Sequence, residues 1–192
     1  MRRFPEITFN EGVRDAQSRY GTREQMERFA ELPHEDRRLG DKEAAFIGER
    51  DGFYLASVNA EGWPYVQFRG GPKGFLKVLD DKSLGFADFR GNRQYISTGN
   101  VSRNDRVALI LMDYVNRQRL KVLARARVVE LADNAELIER LKMPDYSAVV
   151  ERGIVLDVEA FDWNCPQHIT PKFTIEELIE RVPQLKDAIE SD

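Results

Sequence analysis

Short strand-like segments joined by tight turns fill the middle of the chain, and they restrict the possible folds more than any other feature. Residues 53–59 and 64–69 flank a turn that contains Gly62, which predicts a β-hairpin. Segments 74–79 and 83–88 predict the next two strands. Because such turns join antiparallel neighbours, and strands do not alternate regularly with helices, the pattern predicts an antiparallel barrel rather than a parallel sheet.

The later strands are longer. Residues 106–112 are apolar on both faces, as expected of a strand that packs on the core with one face and on a partner surface with the other. Residues 119–129 alternate between small apolar side chains and basic ones, which predicts one buried and one exposed face. Residues 148–161 complete a set of at least six strands.

Helices are predicted at both ends of the chain and between strands. Thr22 with Gln25, and Thr174 with Glu177, have the spacing of a capping box. The predicted helices are 22–32, 41–49 with Asp41 as cap, 92–99 with Asn92 as cap, one opened by Asp133 with Glu136, one after Thr174, and a short one restarted by Pro183.

Composition limits the class of protein. The 192 residues are 42% hydrophobic, enough for one domain, and the expected organisation is a helical extension (1–50), a barrel (51–162) and a C-terminal loop and helix (163–192). A net charge of −4 argues against nucleic-acid binding, and no apolar run reaches the length of a membrane span. No secretory signal is expected at the N-terminus, and the lone Cys165 suits the reducing cytoplasm. His34 and His168 are too few to predict a metal site.

Arginines and amides recur in three segments, 64–74, 86–94 and 116–121, which a barrel would bring together. A phosphate monoester needs bidentate donors and backbone N–H groups at a helix start, and Asn92-Arg93-Gln94 offers both. The alternative is that these arginines face water and that the Gly70-Gly71 corner is only a corner. Neither a P-loop nor a dinucleotide-binding glycine motif is present.

These motifs resemble the FMN-binding split barrel of the pyridoxamine 5′-phosphate oxidase superfamily. Three segments are more similar still to a bacterial branch of oxidase-related flavin-nucleotide-binding proteins. These segments are GWPYVQFRGGPKGFLKVLDD, FADFRGNRQYISTGN and FDWNCPQHITPKFT. The resemblance implies a mainly β fold, a six-stranded antiparallel split β-barrel with flanking N- and C-terminal helices. It also implies a homodimer with FMN at the subunit interface.

The resemblance further implies which residues bind the cofactor. One strand lies along the flavin, the end of the next contacts its ring, a helix start binds the phosphate, and a residue that opens the long basic strand approaches from the neighbouring subunit or the flavin edge. In that order the implied residues are Gln67, Phe68 and Arg69; Ala87 and Asp88; Asn92, Arg93 and Gln94; and Arg119.

The chain departs from the oxidases in ways that bear on function. The oxidases usually have Arg where Gln67 stands and Lys where Gln94 stands, and Arg69 is the candidate to compensate. Their Arg-Leu-His-Asp-Arg segment for pyridoxamine phosphate is replaced by residues 163–168. Oxidation of pyridoxamine phosphate is therefore not expected, and His168 is a candidate proton donor or substrate contact, unless it only hydrogen-bonds a turn.

Three functions remain open at this level. The first is an FMN-dependent oxidoreductase of unknown substrate. The second is a non-catalytic flavin carrier or sensor built on the same barrel. The third is a split barrel that binds haem or a deazaflavin, for which a haem would need an axial ligand from a histidine, Cys165 or a tyrosine.

Overall fold

The computed structural model describes residues 3–33, 35–163 and 166–184. Seven helices and seven strands lie within these residues. The helices are α1 (Arg3–Thr8), α2 (Glu11–Arg19), α3 (Arg23–Glu31), α4 (Asp41–Gly48), α5 (Ile96–Val101), α6 (Ala135–Leu141) and α7 (Ile175–Arg181). The strands are β1 (Gly52–Val58), β2 (Pro64–Gly70), β3 (Lys77–Asp80), β4 (Ser83–Phe89), β5 (Arg106–Asp113), β6 (Gln118–Glu130) and β7 (Val150–Trp163).

The strands form one antiparallel sheet in the order β2-β1-β5-β6-β7-β4-β3. The mainly β, antiparallel prediction is therefore confirmed. The expected count of six strands is wrong, since the described residues contain seven. The short strand β3 pairs with β4 and forms the edge of the sheet on that side.

The sheet curls so that its two ends face each other across the core. Phe53 on β1 and Phe86 on β4 are separated by three strands in the sheet order, yet their ring centroids are 5.3 Å apart. Phe75, from the segment between β2 and β3, stacks on Phe53 at 5.6 Å. All three rings are about 1% exposed. Contact between strands that are not neighbours in the sheet is what closes it into a barrel.

The longest strands bend where their pairing slips. The register between β6 and β7 shifts between Leu123 and Ala124, and the register between β4 and β7 shifts between Asp88 and Phe89. Such irregularities increase the local twist and allow one strand to serve a curved sheet. The predicted inner face of β6 is confirmed, because Val122, Ala124 and Ala126 are buried.

Element boundaries follow local chemistry at some places and not at others. The box at Thr174 and Glu177 is confirmed, with both of its hydrogen bonds formed. The predicted caps Asp41 and Asp133 are each one residue off, since Gly40 and Asn134 precede the helices. The predicted strand 74–79 begins only at Lys77. Most of the helix predicted after Pro183 lies outside the described residues.

The N-terminal helices differ in how they pack. The backbone N–H groups of Arg3 and Phe4 in α1 donate to the buried carboxylate of Asp36, which fixes α1 near β7. Helices α2 and α3 have no buried residues. Within the described ranges, no helix has both the length and the apolar character that a membrane crossing requires.

Candidate functional site

A charged cluster connects the two ends of the curled sheet. Asp88 on β4 accepts a hydrogen bond from Arg69 Nη1 at 2.5 Å through one oxygen and from Arg152 Nη1 at 3.1 Å through the other. Arg69 belongs to β2, at the opposite end of the sheet order, whereas Arg152 lies directly opposite Asp88 on the neighbouring strand β7. The three side chains are only 15%, 6% and 14% exposed, in the order Arg69, Asp88, Arg152.

Burial makes this cluster electrostatically strong. A charge removed from water is screened less than one at the surface, and it is destabilising unless counter-charges and hydrogen bonds surround it. Asp88 has both, but its partners do not have every donor satisfied. Nε of Arg69 and Nε of Arg152 are buried without a hydrogen-bond partner among the described residues. The cluster therefore retains spare N–H donors next to a pocket.

The segment before α5 forms the second wall of this pocket. The predicted helix 92–99 is wrong at its start, because α5 begins at Ile96. Asn92 caps a local turn instead, with its side-chain oxygen accepting from the backbone N–H of Gln94 at 3.1 Å. Arg93 and Tyr95 have positive φ angles of 60° and 53°, which no helix can include.

Helix α5 is attached to the sheet by side-chain hydrogen bonds. Ser97 donates to the side-chain oxygen of Gln67 on β2 at 3.0 Å. Asn100 donates to Ser57 on β1 at 3.0 Å, and both of these residues are buried. The first bond fixes the start of α5 against β2 and the second fixes its end against β1, so that Gln67 and Arg69 line the same pocket as the turn at residues 91–95.

The pocket between these walls has a volume of about 50 Å³. It brings together five of the residues that the sequence resemblance implied, namely Gln67, Arg69, Asp88, Asn92 and Arg93. A phosphate group fits this volume, and the guanidinium groups of Arg93 and Arg69 and the amides of Gln67 and Asn92 are suitable donors, beside the carboxylates of Asp88 and Glu151 that also line the pocket. The observed donor set therefore fits the phosphate end of a flavin nucleotide.

The other four implied residues lie elsewhere. Phe68 projects from the opposite face of β2, 57% exposed, with its ring 5.4 Å from that of Tyr54. Ala87 is buried, and Gln94 is exposed beside Asn92. Arg119 pairs with Met112 at the far end of β5 and β6. None of the four lines the pocket.

Glu151 and the side chains around it form the rim. Glu151 accepts from Arg90 Nε at 3.1 Å and from the Tyr95 hydroxyl at 3.2 Å. Burial opposes ionisation of this carboxyl, but those two hydrogen bonds and the charge of Arg152 outweigh it, so the pKa of Glu151 is lowered. The guanidinium of Arg152 also lies 4.9 Å from the centroid of the Tyr95 ring. The rim is thus an ionised, cross-linked surface.

Sequence reasoning did not identify Arg152, Glu151, Tyr95 or Ser97 as members of the site. One signal was present: Glu151-Arg152 is a charged pair inside the otherwise apolar strand segment 148–156. Charged residues in a strand that reads as buried usually have a paired partner.

The candidate catalytic His168 is exposed, with a φ of 62°, and is not among the residues that line the pocket. Cys165 and His34 lie outside the described residues. In the described part of the chain, no group of three or more His, Cys, Asp or Glu side chains has an arrangement suited to a metal ion.

A larger cleft of about 620 Å³ lies between α4, the β5–β6 turn and the segment before α7. Trp163 forms part of its wall, with its indole N–H donating to Glu43 at 2.7 Å and its ring packed edge-on against Phe46. None of the cleft's lining residues is shared with the phosphate pocket.

The chain is similar to known proteins both in sequence and in fold. A family model described as pyridoxamine 5′-phosphate oxidase matches residues 39–169. A solved structure of a candidate pyridoxamine 5′-phosphate oxidase from Lactobacillus delbrueckii is 25% identical, with a TM-score of 0.51, and the match covers 67% of this chain and 96% of that one. None of the curated proteins matches the chain.

Two more distant structures are similar in fold alone. HupZ from Group A Streptococcus is 14% identical with a TM-score of 0.54, and the match covers 70% of this chain and 99% of that one. An FMN-binding protein from Syntrophomonas wolfei is 13% identical with a TM-score of 0.51, covering 81% and 96%.

Proposed function

Because the chain belongs to the pyridoxamine 5′-phosphate oxidase family, we propose that it is a flavoprotein that binds FMN and uses it as an oxidoreductase. The observation that carries the proposal is the pocket in which β2, β4 and the turn before α5 converge on a phosphate-sized space. The substrate differs from pyridoxamine phosphate in this proposal, since residues 163–168 replace the segment that holds it in the oxidases.

In this proposal the FMN phosphate is held by Arg93, by Arg69 and by the amides of Asn92 and Gln67. Arg69 takes the place of the arginine that the oxidases have two residues earlier. The exchange is sterically reasonable because residues two apart on a strand share a face. Bound FMN would supply the two-electron chemistry, and the protein would supply the orientation and the charges around it.

The rest of the flavin needs a second wall, because 50 Å³ accommodates a phosphate and little more. We propose that a second copy of the chain provides that wall in a homodimer. The outer face of β1 and β2 supports this, since Tyr54, Val66 and Phe68 are 39%, 58% and 57% exposed there. Large apolar side chains exposed side by side on a sheet are typical of an interface. Arg119 would approach the flavin from that second copy.

A non-catalytic flavin carrier is the second candidate. It is favoured by the state of the two carboxylates at the pocket, Asp88 and Glu151, which are both engaged by arginines and so are poorly placed to transfer protons. Both candidates predict FMN binding and a cytoplasmic protein. They differ in whether NADH or NADPH reduces the bound flavin with turnover.

The experiment is the absorption spectrum of the purified protein, followed by FMN titration of Arg93→Ala. Loss of a charge-assisted hydrogen bond predicts an affinity about 10- to 100-fold weaker. Arg103→Ala is the matched control, because Arg103 is an exposed arginine just after α5 that does not line the pocket. A colourless protein that also fails to bind added FMN would refute the proposal and direct attention to haem or a deazaflavin.

A further inference from the structure

We propose that Asp88 is an internal competitor of the cofactor phosphate, which keeps bound flavin nucleotide exchangeable. This inference rests on the proposed function, because it concerns the phosphate pocket. It adds a role for one of the two carboxylates, Asp88 and Glu151, that line this pocket together with Arg69 and Arg93.

The geometry of Asp88 is that of a bound anion. Its two oxygens each accept from a different arginine, at 2.5 Å from Arg69 and 3.1 Å from Arg152, much as a bridging phosphate would. The two arginines come from strands at opposite sides of the sheet order, so the carboxylate is what joins them. An incoming phosphate and Asp88 therefore compete for the guanidinium donors of Arg69, the one of these two arginines that lines the pocket.

Asp88 does not occupy every donor near the pocket, so its competition with a phosphate is partial. Each arginine keeps a buried Nε without a hydrogen-bond partner among the described residues, and a Glu130 oxygen lies 3.8 Å from Nε of Arg152, beyond hydrogen-bonding range. Arg93, which lines the pocket together with Arg69, is exposed and hydrogen-bonds to Tyr95 rather than to Asp88. A phosphate can thus bind through Arg93, but beside a negative charge that is poorly screened.

Asp88 affects phosphate binding in two opposite ways, and their electrostatic strengths decide which one is larger. Asp88 orients Arg69, and losing that orientation would weaken phosphate binding. However, the carboxylate also neutralises one of the two arginines and repels a dianion at a distance of a few ångströms in a half-buried site. The second effect is the larger one at such a distance, because repulsion acts on both phosphate charges. Removing the charge of Asp88 should therefore tighten phosphate binding by about tenfold.

The test compares wild-type protein with Asp88→Asn by titration with inorganic phosphate and with FMN at constant ionic strength. Asp88→Thr is a second variant, since threonine is uncharged and well suited to a strand. Asp81→Asn is the matched control, because it makes the same change of net charge in an exposed pair with Arg38. Riboflavin, which lacks the phosphate, is the ligand control.

We expect both Asp88 variants to bind phosphate and FMN about tenfold more tightly, to release FMN more slowly and to bind riboflavin as the wild type does. Asp81→Asn should change none of these values. Unchanged or weaker phosphate binding in a folded Asp88 variant would overturn the inference. Phosphate is titrated in every variant whether or not FMN binds, so failure of the proposed cofactor and failure of the competitor role give different results.

Discussion

The bridge made by Asp88 should also support the fold, and Asp88→Asn tests how strongly. The substitution keeps the size of the side chain and one acceptor oxygen but removes the charge between two arginines. Arg69, about 85% buried, then loses the carboxylate that pairs with it, whereas Arg152, equally buried, keeps Glu151 at 3.4 Å and Glu130 at 3.8 Å. Because Arg69 lies on β2 and Asp88 on β4, the change also weakens a link between the two ends of the sheet.

The magnitude follows from burial. Removing one partner of a fully buried ion pair costs about 3–5 kcal/mol. The arginines here keep a little exposure and the asparagine keeps one hydrogen bond, so we expect the free energy of unfolding to fall by about 2–3 kcal/mol. The exposed pair of Arg38 and Asp81 has a similar distance of 2.7 Å, but its side chains are 57% and 49% exposed. Asp81→Asn should therefore cost at most about 1 kcal/mol.

The assay is urea unfolding of the three proteins at pH 7 and one fixed protein concentration, because a dimer would make stability depend on concentration. With a slope of roughly 2–3 kcal/mol per molar urea, Asp88→Asn should lower the midpoint by about 1 M. Equal losses in the two variants would refute the reasoning, since the two changes differ mainly in burial. A loss below about 1 kcal/mol for Asp88→Asn would do so as well.

Three further substitutions test the packing and the charges. Gly85→Ala should destabilise by about 1–3 kcal/mol in thermal unfolding, because the added Cβ would lie 2.8 Å from a methyl carbon of Leu141. Gly99→Ala should instead stabilise α5 by about 0.5–1 kcal/mol, since its Cβ meets no heavy atom within 4 Å, and a loss of stability there would contradict this. The hydrogen bond from Arg125, at 2.8 Å, outweighs partial burial and lowers the pKa of Glu159, so ionised Glu159 adds stability that is complete above its unfolded pKa and is lost as pH falls through its folded pKa. Glu159→Gln should thus have a lower free energy of unfolding than the wild type at pH 7. In urea unfolding, it should lose less stability than the wild type when the pH falls from about 5 to about 3. Parallel pH profiles of the two proteins would show that the charge of Glu159 is not involved.

Several elements were predictable because their causes are local. The helix start at Thr174 needs only Glu177 three residues later, and both hydrogen bonds form as the spacing predicts. The alternation in β6 likewise predicts its buried face, because successive side chains of a strand point to opposite sides. The antiparallel arrangement follows from short turns between strands.

The candidate site was partly predictable from residue types alone. Arginines and amides at residues 67–69 and 92–94 indicated phosphate chemistry, and Gln67, Arg69, Asn92 and Arg93 do meet in one pocket. The turn before α5 could not be foreseen. Asn92 can cap either a helix or a turn, and the choice depends on Tyr95, whose hydroxyl donates to Glu151, a residue 56 positions away.

By itself, the sequence determined the class of the fold, the faces of the strands and the chemistry of the site, because periodicity, turn residues and side-chain type act over a few residues. Only the tertiary structure decided the partners of Asp88. Arg152 lies beside it through the β4–β7 register, and Arg69 reaches it because the sheet curls until β2 and β4 meet. Those contacts depend on the closure of the whole sheet, which the local pattern of the chain does not specify.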